Sequence, residues 1–275
     1  GALPGKRESR RYVGEYIMKQ QEISKAVKFA DTVAYGGWPI DDHFPSGFFH
    51  RGVPNVNLET DAPYSIPYRI LYSINVDNLF FAGRNVSATH TANSSLRVMA
   101  TCGVMGQAVG TAAAIAVKYG LSPHGVYEEK ISELQNILMS NDCFLPHYKR
   151  EISCLCKKTP IKYGNDSLKN GEDRENIIYG DKECGVSVKN GTELSYSFEN
   201  EEYVKAVHIV FDSDLERETL EGDQCERSHA TRSNILLDTP LLHMPKTLCT
   251  SFEYKIKYEC GAEEKHVIEN NKIRA

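Results

Sequence analysis

The amino-acid sequence predicts an α/β part over residues 1–148, followed by an all-β sandwich domain over residues 149–275. In the first part, residues 78–120 predict a buried strand, a Gly-Arg turn, a polar loop and a helix rich in small residues. The second part consists of short runs of alternating polar and apolar residues between turn-forming residues. Charge changes as well, because residues 1–150 carry 13 acidic and 15 basic side chains and the remainder carries 24 and 17.

A strand and a turn open the central segment of the first part. Ile74–Ala82 ends in the apolar run LFFA, which predicts a strand covered on both faces. Gly83 follows this run and permits a sharp exit from the strand. A charged residue, Arg84, comes directly after the turn.

The helix predicted after Cys102 has one face without side chains. Gly103, Gly106 and Gly110 recur at helical spacing, so they share that face. Another backbone or a flat ring can therefore approach the helix closely. Its many alanines also allow a simpler interpretation, in which it is a tightly packed core helix.

A second helix, predicted from about Val126 to Met139, closes the first part. Its apolar side chains recur at helical spacing and are Ile131, Leu134, Ile137 and Leu138. The polar connection NDCFLPHYKR at residues 141–150 follows and separates the two parts.

The second part predicts a β sandwich. Its alternating runs cover residues 194–200, 203–214, 234–240 and 251–260. The motif LKNGEDR at residues 168–174, followed by these runs, resembles the galactose-binding, discoidin-like jelly roll. That resemblance implies a glycan-binding β domain.

Six cysteines lie in the second part, and they allow a disulfide framework, a metal site or small core residues. Cys154 and Cys156 form the closest pair, and on a strand both side chains would lie on one face. A zinc site would need two further ligands that the spacing does not identify. We therefore assign no metal ligands and expect reduced, partly buried thiols in a cytoplasmic protein.

Bulk properties argue against two classes of partner. The net charge of -5 and the lack of a basic tract disfavour nucleic acid. No apolar run approaches the roughly 20 residues of a membrane helix, so no membrane partner is expected. The hydrophobic content of 41% is enough for real cores.

Four blocks of sequence together resemble the late part of a known enzyme family. They are RESRRYVGEYIMKQQEI, FADTVAYGGWPIDDH, YSIPYRILY and the segment from NLFFAGR to RVMATCGVMGQAVGTAAA. In order and spacing they are similar to bacterial FAD-dependent oxidoreductases, which are two-domain flavoproteins with a Rossmann-type fold. The resemblance covers about the first half of the chain. It implies FAD as cofactor and hydride transfer between flavin and a small-molecule substrate.

The family's G-x-G-x-x-G turn, which holds the FAD pyrophosphate, occurs nowhere in the 275 residues. The resemblance therefore implies a C-terminal fragment of a larger flavoprotein. Its partner would be the missing N-terminal FAD-binding half. On this interpretation the chain alone holds no FAD and is inactive.

The resemblance also implies which residues face the cofactor. Gly83, Arg84 and Asn85 would lie beside the ribityl and phosphate region of the flavin. The alternative is a strand-ending turn with a solvent-facing arginine. At the helix, four residues would approach the reduced flavin, namely Gly103, Val104, Met105 and Gly106. The amides of Val104, Met105 and Gly106 would point at the flavin.

The predicted catalytic residues are His90, Arg97 and His43. Hydride transfer needs a group that moves a proton and a cation that fixes an anionic or polar substrate, and histidine and arginine suit these tasks. The resemblance implies that His90 and Arg97 lie in the loop next to the isoalloxazine. Each could instead be structural, with the arginines paired to carboxylates such as Asp41 or Asp42.

Three further arginines, Arg69, Arg10 and Arg11, are predicted to bind substrate. For Arg10 and Arg11 the alternative is an amphipathic helix in which they are solvated or pair with Glu8 and Glu15.

Two functions follow from these patterns. The first is an FAD-dependent oxidoreductase acting on a small polar substrate, which the jelly-roll-like tail suggests is carbohydrate-derived. The alternative is a non-catalytic glycan-binding module whose first part is a scaffold.

Overall fold

The computed structural model describes residues 10–44, 46–53, 55–61, 63–172, 184–211, 249 and 251–269. The chain divides into two compact units, Gly1–Ser195 and Tyr196–Ala275. The expected domain boundary at residues 148/149 stays a prediction.

The first unit combines helices with short strands. The helices are α1 Gln20–Ser24, α2 His90–Leu96, α3 Met99–Tyr119, α4 Pro123–Ser140 and α5 Cys154–Lys158. The strands are β1 Thr32–Gly36, β2 Ile40–His43, β3 Asn55–Leu58, β4 Tyr64–Pro67 and β5 Ile161–Lys162, and β6 Ser195–Tyr196 lies at the division between the units. Single 3-10 turns occur at Gly47–Phe49, Tyr68–Ile70 and Asp166–Lys169.

Two antiparallel pairs of strands organise this unit. Strand β1 pairs with β4, with Gly36 opposite Tyr64. Strand β2 pairs with β3, with His43 opposite Asn55. Helices mixed with small antiparallel sheets fit the predicted α/β class.

Helix α4 confirms the helix predicted from about Val126 to Met139, although it begins three residues earlier. The Ser122 side chain accepts a hydrogen bond from the Gly125 amide, and Pro123 occupies the first turn. Both residue types favour a helix start, which explains the earlier beginning.

Helix α3 packs on one face and is open on the other. Its inner face meets α4 and β1 through the buried residues Met105, Ala108, Ala112 and Ile115. The residues at helical spacing on the open face are Met99, Gly103, Gly106, Gly110 and Val117. Met99 and Val117 are 91% and 85% exposed. The open face is thus apolar or free of side chains.

The same helix is long and apolar enough to cross a membrane, by length and composition alone. The sequence-based statement that no apolar run approaches that length was therefore wrong. For a single helix this criterion is weak, because core helices of soluble proteins also meet it.

The strand predicted at Ile74–Ala82 is absent from the structure. The segment makes an isolated bridge, between Tyr72 and Phe80, and it starts with a turn in which the Ser73 hydroxyl accepts from the Val76 amide. Ile74 and Val76 are exposed. The prediction failed because the apolar run is buried mainly through Phe81 rather than along two sheet faces.

The Cys154 and Cys156 pair lies on helix α5, not on a strand, because the Ser153 hydroxyl caps the helix at the Cys156 amide. Side chains two residues apart on a helix do not share a face. The cysteines in the described ranges form no disulfide with one another, and Cys143 is buried whereas Cys154 and Cys260 are exposed. In those same ranges no group of His, Cys, Asp and Glu could hold a metal ion.

In the second unit, the described residues include one antiparallel hairpin. Its strands are β7 Phe252–Lys257 and β8 Glu263–Ile268, with Phe252 opposite Ile268. Strand β7 falls within the predicted run 251–260. The run 203–214 forms no strand over residues 203–209, where most side chains are exposed, and its last three residues and the run 234–240 lie outside the described residues. The predicted sandwich is therefore not confirmed.

Tyr64 ties strand β4 to helix α2. Its hydroxyl shares a 2.6 Å hydrogen bond with Ser95 Oγ, and Ser95 Oγ donates to the Trp38 carbonyl at 2.5 Å. Because the Ser95 proton goes to Trp38, Tyr64 is the donor to Ser95. The ring is fully buried and lies where a side chain on Gly36 would be.

A polar network joins the N-terminal segment to helix α4. Glu15 accepts hydrogen bonds from the Tyr72 hydroxyl and from His124 Nδ1, the latter at 2.8 Å. Glu15 raises the pKa of His124 above its ordinary value, and Glu128 adds to the effect. Burial opposes ionisation of Glu15, but the hydrogen bonds from Tyr72 and His124 outweigh it and lower its pKa.

We expect Gly36→Ala to destabilise the protein by about 1–3 kcal/mol, the usual cost of overpacking a core. The new methyl group would collide with the buried Tyr64 hydroxyl and disrupt its bond to Ser95. Gly37→Ala is the matched control, since nothing lies within 4 Å of its added Cβ. Urea unfolding of both variants measures the difference. Equal stability of the two would contradict the packing of Tyr64.

We expect the stabilisation from the Glu15 and His124 pair to depend on pH. The raised pKa of His124 makes its contribution complete below its ordinary value of 6.5, and the contribution is lost as the pH rises through the raised value. The lowered pKa of Glu15 makes its contribution complete above 4.5, and it is lost at lower pH. His124→Gln should therefore cost up to about 1 kcal/mol near pH 5.5 and close to nothing at pH 9.

Urea unfolding of the wild type and of this variant at the two pH values is the measurement. A stability difference that is as large at pH 9 as at pH 5.5 would mean that His124 acts through packing and not through its charge.

Candidate functional site

The three predicted catalytic residues lie together where strand β2 meets helix α2. His43 is the last residue of β2. His90 begins α2, which is capped by the Thr89 side chain, and Arg97 follows its last residue. Strand β2 and helix α2 are in direct contact. The cluster formed by these residues and the two aspartates of β2, Asp41 and Asp42, is here called the β2–α2 cluster.

Asp41 is the most connected carboxylate of this cluster. Its Oδ2 lies 3.0 Å from His43 Nε2, and its Oδ1 accepts from Asn55 Nδ2 at 2.7 Å. Burial alone would raise the pKa of Asp41, but the bonds from Asn55 and His43, aided by the charge of Arg97, lower it. The Asp41 carboxylate is therefore held in its ionised form.

Asp42 points to the other side of the strand and binds helix α2. Its Oδ1 lies 3.0 Å from His90 Nε2 and accepts from Ser94 Oγ at 3.2 Å. Neighbouring strand residues face opposite sides, so one strand supplies two carboxylates to two different histidines.

The Arg97 side chain makes its contacts within the protein and is mostly shielded from solvent. Its Nη2 donates to the Asp41 carbonyl at 2.8 Å and lies 3.9 Å from Asp41 Oδ2, and its side chain is 14% exposed. The sequence predicted a cation at the mouth of the site. In the structure, this guanidinium instead joins the end of α2 to β2.

Arg69 lies in a different environment from the β2–α2 cluster. It forms a two-pronged ion pair with the buried Asp31, at 2.9 and 3.2 Å, and its guanidinium stacks on Tyr16 and Tyr127 at 5.2 and 5.3 Å. These contacts use the edge formed by Nε and Nη2 and the faces of the guanidinium. Arg69 therefore has structural partners, and its role in substrate binding stays a prediction.

The predicted cofactor turn has the conformation that its glycine suggested. Gly83 has a φ of +104°, which favours glycine, and its carbonyl accepts from the Val86 amide at 3.3 Å. Arg84 is exposed. The Asn85 carbonyl accepts from the Tyr12 amide at 2.8 Å, which fixes the N-terminal segment beside the turn.

Arg10 and Arg11 precede this contact in an extended segment, not in the amphipathic helix considered as an alternative. Arg10 is exposed and Arg11 is half-buried. The backbone bond between Tyr12 and Asn85 places both arginines near the turn that carries Arg84. The turn and the N-terminal segment beside it therefore carry three arginines, Arg10, Arg11 and Arg84.

Electrostatics connects the turn with helix α3. Burial raises the pKa of the Cys102 thiol, and the charge of Arg84 partly opposes this rise. Cys102 lies in the first turn of α3, where its Sγ is 3.7 Å from the Leu96 carbonyl. Arg84 is thus within electrostatic reach of the N-terminus of α3.

Helix α3 begins before the residues whose amides were predicted to be free, so other amides lack an intrahelical acceptor. The helix begins at Met99, and the Cys102 amide already donates to the Val98 carbonyl at 2.9 Å. The amides without an intrahelical acceptor are those of Met99, Ala100 and Thr101. The proposal that the amides of Val104, Met105 and Gly106 face the flavin was therefore wrong, since those amides are consumed within the helix.

The glycine face of α3 keeps its predicted openness. Nothing lies within 4 Å of a Cβ added at Gly103, Gly106 or Gly110. Met105, in contrast, is fully buried in the core, and Val104 is half-buried. The surface that could accept a flat ring thus comprises the glycines and not Met105.

The residues present fit an anionic, flat cofactor. Arg84 supplies positive charge, the first amides of α3 supply free donors, and the open glycine face leaves room for a ring. All three features lie in the first unit.

The sequence did not single out the two aspartates of β2 or Asn55 as site residues. The motif IDDH carried a signal, because residues two apart on a strand share a face and Asp41 therefore meets His43. Asn55 gave no such signal, since its role depends on the register of β2 against β3.

Comparison with known families gives one match. Residues 1–138 match the family described as FAD dependent oxidoreductase, which covers half of the chain. Comparisons with curated proteins and with solved structures give no match. The matched region contains the β2–α2 cluster, the Gly83 turn and helix α3. The chain therefore belongs to the FAD dependent oxidoreductase family.

Proposed function

We propose that this chain forms the substrate side and one edge of the cofactor site of an enzyme that transfers a hydride between FAD and a small polar substrate. The observation that carries the proposal is the open glycine face of α3, which follows the first amides of that helix and lies in a helix whose Cys102 is within electrostatic reach of Arg84. This part of the chain combines positive charge with open space, and it lies in a region that matches an FAD dependent family.

When bound, the flavin would supply hydride transfer at N5. Arg84 and the amides of Met99 and Ala100 would offset negative charge on the phosphate or on the reduced ring. Gly103 and Gly106 would let the ring lie against the helix. Each of these roles uses a residue that is exposed in the structure.

The pyrophosphate is proposed to be held elsewhere. The sequence has no G-x-G-x-x-G turn, so the family's phosphate cradle would come from an N-terminal FAD-binding half that is not among these residues. The chain alone would then be inactive. The cysteines of the described residues form no disulfide with one another, which supports a reducing, cytoplasmic setting.

The charges of the β2–α2 cluster favour a polar substrate that is not an anion. The cluster has two carboxyl groups, Asp41 and Asp42, and one guanidinium, and Arg97 already contacts Asp41. Trp38 is 53% exposed and is held at this site by the bond from Ser95. An exposed indole near carboxylates and imidazoles supports a polyhydroxylated, carbohydrate-derived substrate, which offers both hydroxyls and apolar ring faces.

We expect the purified chain to be colourless and the full-length parent to be yellow. The chain lacks the pyrophosphate cradle, so FAD added to it should be lost on gel filtration. Absorbance spectra after gel filtration are the measurement. Flavin bands that stay with the chain would refute the need for a missing half, and a parent without flavin would refute the proposed cofactor.

We expect Gly106→Leu to remove flavin from the full-length parent while stabilising the chain alone by about 0.5–1 kcal/mol. The stabilisation follows because leucine has a higher helix propensity than glycine and the added side chain meets open space. Ser132→Leu, at an exposed position of α4, is the matched control and should leave flavin content unchanged. Flavin absorbance per protein and urea unfolding are the measurements.

If Gly106→Leu destabilised the chain alone, the glycine face would be covered within this chain. If it left the flavin content of the parent intact, the ring would bind at another surface.

A further inference from the structure

We propose that Asp41 and His43 form a carboxylate–imidazole pair, in which Asp41 positions the ring and His43 Nδ1 accepts the proton that the substrate releases. The role of the proton acceptor rests on the proposed function. The pair itself is a property of this chain and can be tested without cofactor or substrate.

The contact between the two residues fixes the tautomer of the ring. His43 Nε2 lies 3.0 Å from Asp41 Oδ2, and an ionised carboxylate can only accept a hydrogen bond. Nε2 therefore carries the ring proton, and Nδ1 is left as the acceptor. Within the described ranges, Nδ1 has no hydrogen-bond partner, and the side chain is 39% exposed. A substrate hydroxyl can reach it.

Three elements hold the carboxylate in place. Asn55 of β3 donates to Asp41 Oδ1 at 2.7 Å, and Arg97 at the end of α2 donates to the Asp41 carbonyl at 2.8 Å. Strand β2 places His43 two residues from Asp41, on the same face. The ring therefore depends on Asp41, and Asp41 depends on Asn55 and Arg97.

The neighbouring pair of Asp42 and His90 differs in its surroundings. His90 Nε2 lies 3.0 Å from Asp42 Oδ1 and is buried, and the same carboxylate oxygen also binds Ser94 of α2. That pair attaches the helix to the strand. It provides a control of the same chemistry at the same strand.

The substrate would be an alcohol that is oxidised. Its O–H bond would break and the proton would go to His43 Nδ1, while its C–H bond would break and the electron pair would leave as a hydride, for which a bound flavin would be the acceptor. A C=O bond forms, and the ring becomes an imidazolium. Asp41 stays ionised and stabilises that positive charge.

Asp41→Asn should reverse the tautomer. Asn55 Nδ2 donates to the Oδ1 position, so the new amide would turn its oxygen to Asn55 and its NH2 group to His43. An NH2 group donates to Nε2, which places the ring proton on Nδ1. The proton acceptor at His43 Nδ1 would then be lost, although all heavy atoms keep their positions.

The first experiment is nitrogen NMR of the full chain labelled with ¹⁵N-histidine, at a pH where histidine rings are neutral. His43→Gln identifies the signals. We expect a pyrrole-type Nε2 and a pyridine-type Nδ1 for His43 in the wild type, reversed in Asp41→Asn and unchanged in Asp42→Asn. A protonated Nδ1 in the wild type would overturn the proposal, and this result does not depend on the folding of Asp41→Asn.

The second experiment is alkylation of the full chain by iodoacetamide, after reversible blocking of the cysteines. We expect modification of His43 at Nδ1, which drops at least about tenfold in Asp41→Asn and stays unchanged in Asp42→Asn. Peptide mass spectrometry gives the rate, and hydrolysis distinguishes the two ring isomers. Alkylation at Nε2, or equal rates in the wild type and Asp41→Asn, would overturn the proposal.

Neither experiment involves flavin. A failed tautomer test therefore refutes the pair and leaves the flavoenzyme assignment intact, whereas a colourless full-length parent refutes the assignment and leaves the pair intact.

Discussion

The buried ion pair between Asp31 and Arg69 is the interaction on which the packing of the first unit depends. Asp31 accepts from both the side chain and the backbone amide of Arg69, and its carbonyl accepts from Tyr68. The guanidinium also stacks on two tyrosines, one from the N-terminal segment and one from α4. Removing one partner of such a pair typically costs about 3–5 kcal/mol, because the other charge stays buried and unpaired. Loss of either residue would therefore loosen several elements together.

With that framework in place, the candidate site is held by polar contacts between one strand and one short helix. Asp41 and Asp42 are adjacent, yet they bind different histidines because strand residues alternate in direction. Helix α2 has seven residues and would be marginal by itself, so its position depends on these contacts and on Ser95. The groups that build the site are thus also the groups that hold α2. A substitution of Arg97 alone therefore does not separate a catalytic role from a structural one. The two interpretations make different predictions only when the partner Asp41 is substituted as well.

Local signals were predictable from the sequence, whereas partners distant in sequence were not. Helix α4 was found because spacing and capping residues lie within it, and the Gly83 turn was found because its backbone conformation favours glycine. The ion pair of Arg69 could not be foreseen, because its partner Asp31 lies 38 residues away and depends on tertiary packing. The histidines and Arg97 were named as candidates, and their catalytic role stays a prediction. The aspartates that contact them were not named as site residues, since their role depends on strand direction and register. The free amides of α3 were misplaced by five residues because Val98 gives no capping signal of its own.

Helix α3 shows why a cofactor surface is the simplest account of its sequence. A glycine in a helix interior lowers the stability of the helix by about 1 kcal/mol relative to alanine, so the three glycines together lower it by roughly 3 kcal/mol. Close packing within the chain could repay such a cost, but nothing lies within 4 Å of an added Cβ at any of the three. A typical domain has only about 5–15 kcal/mol of stability. The contact that compensates for these glycines is therefore one that the described residues do not make, and a flat ring lying against the helix, beside Arg84, is a contact of that kind.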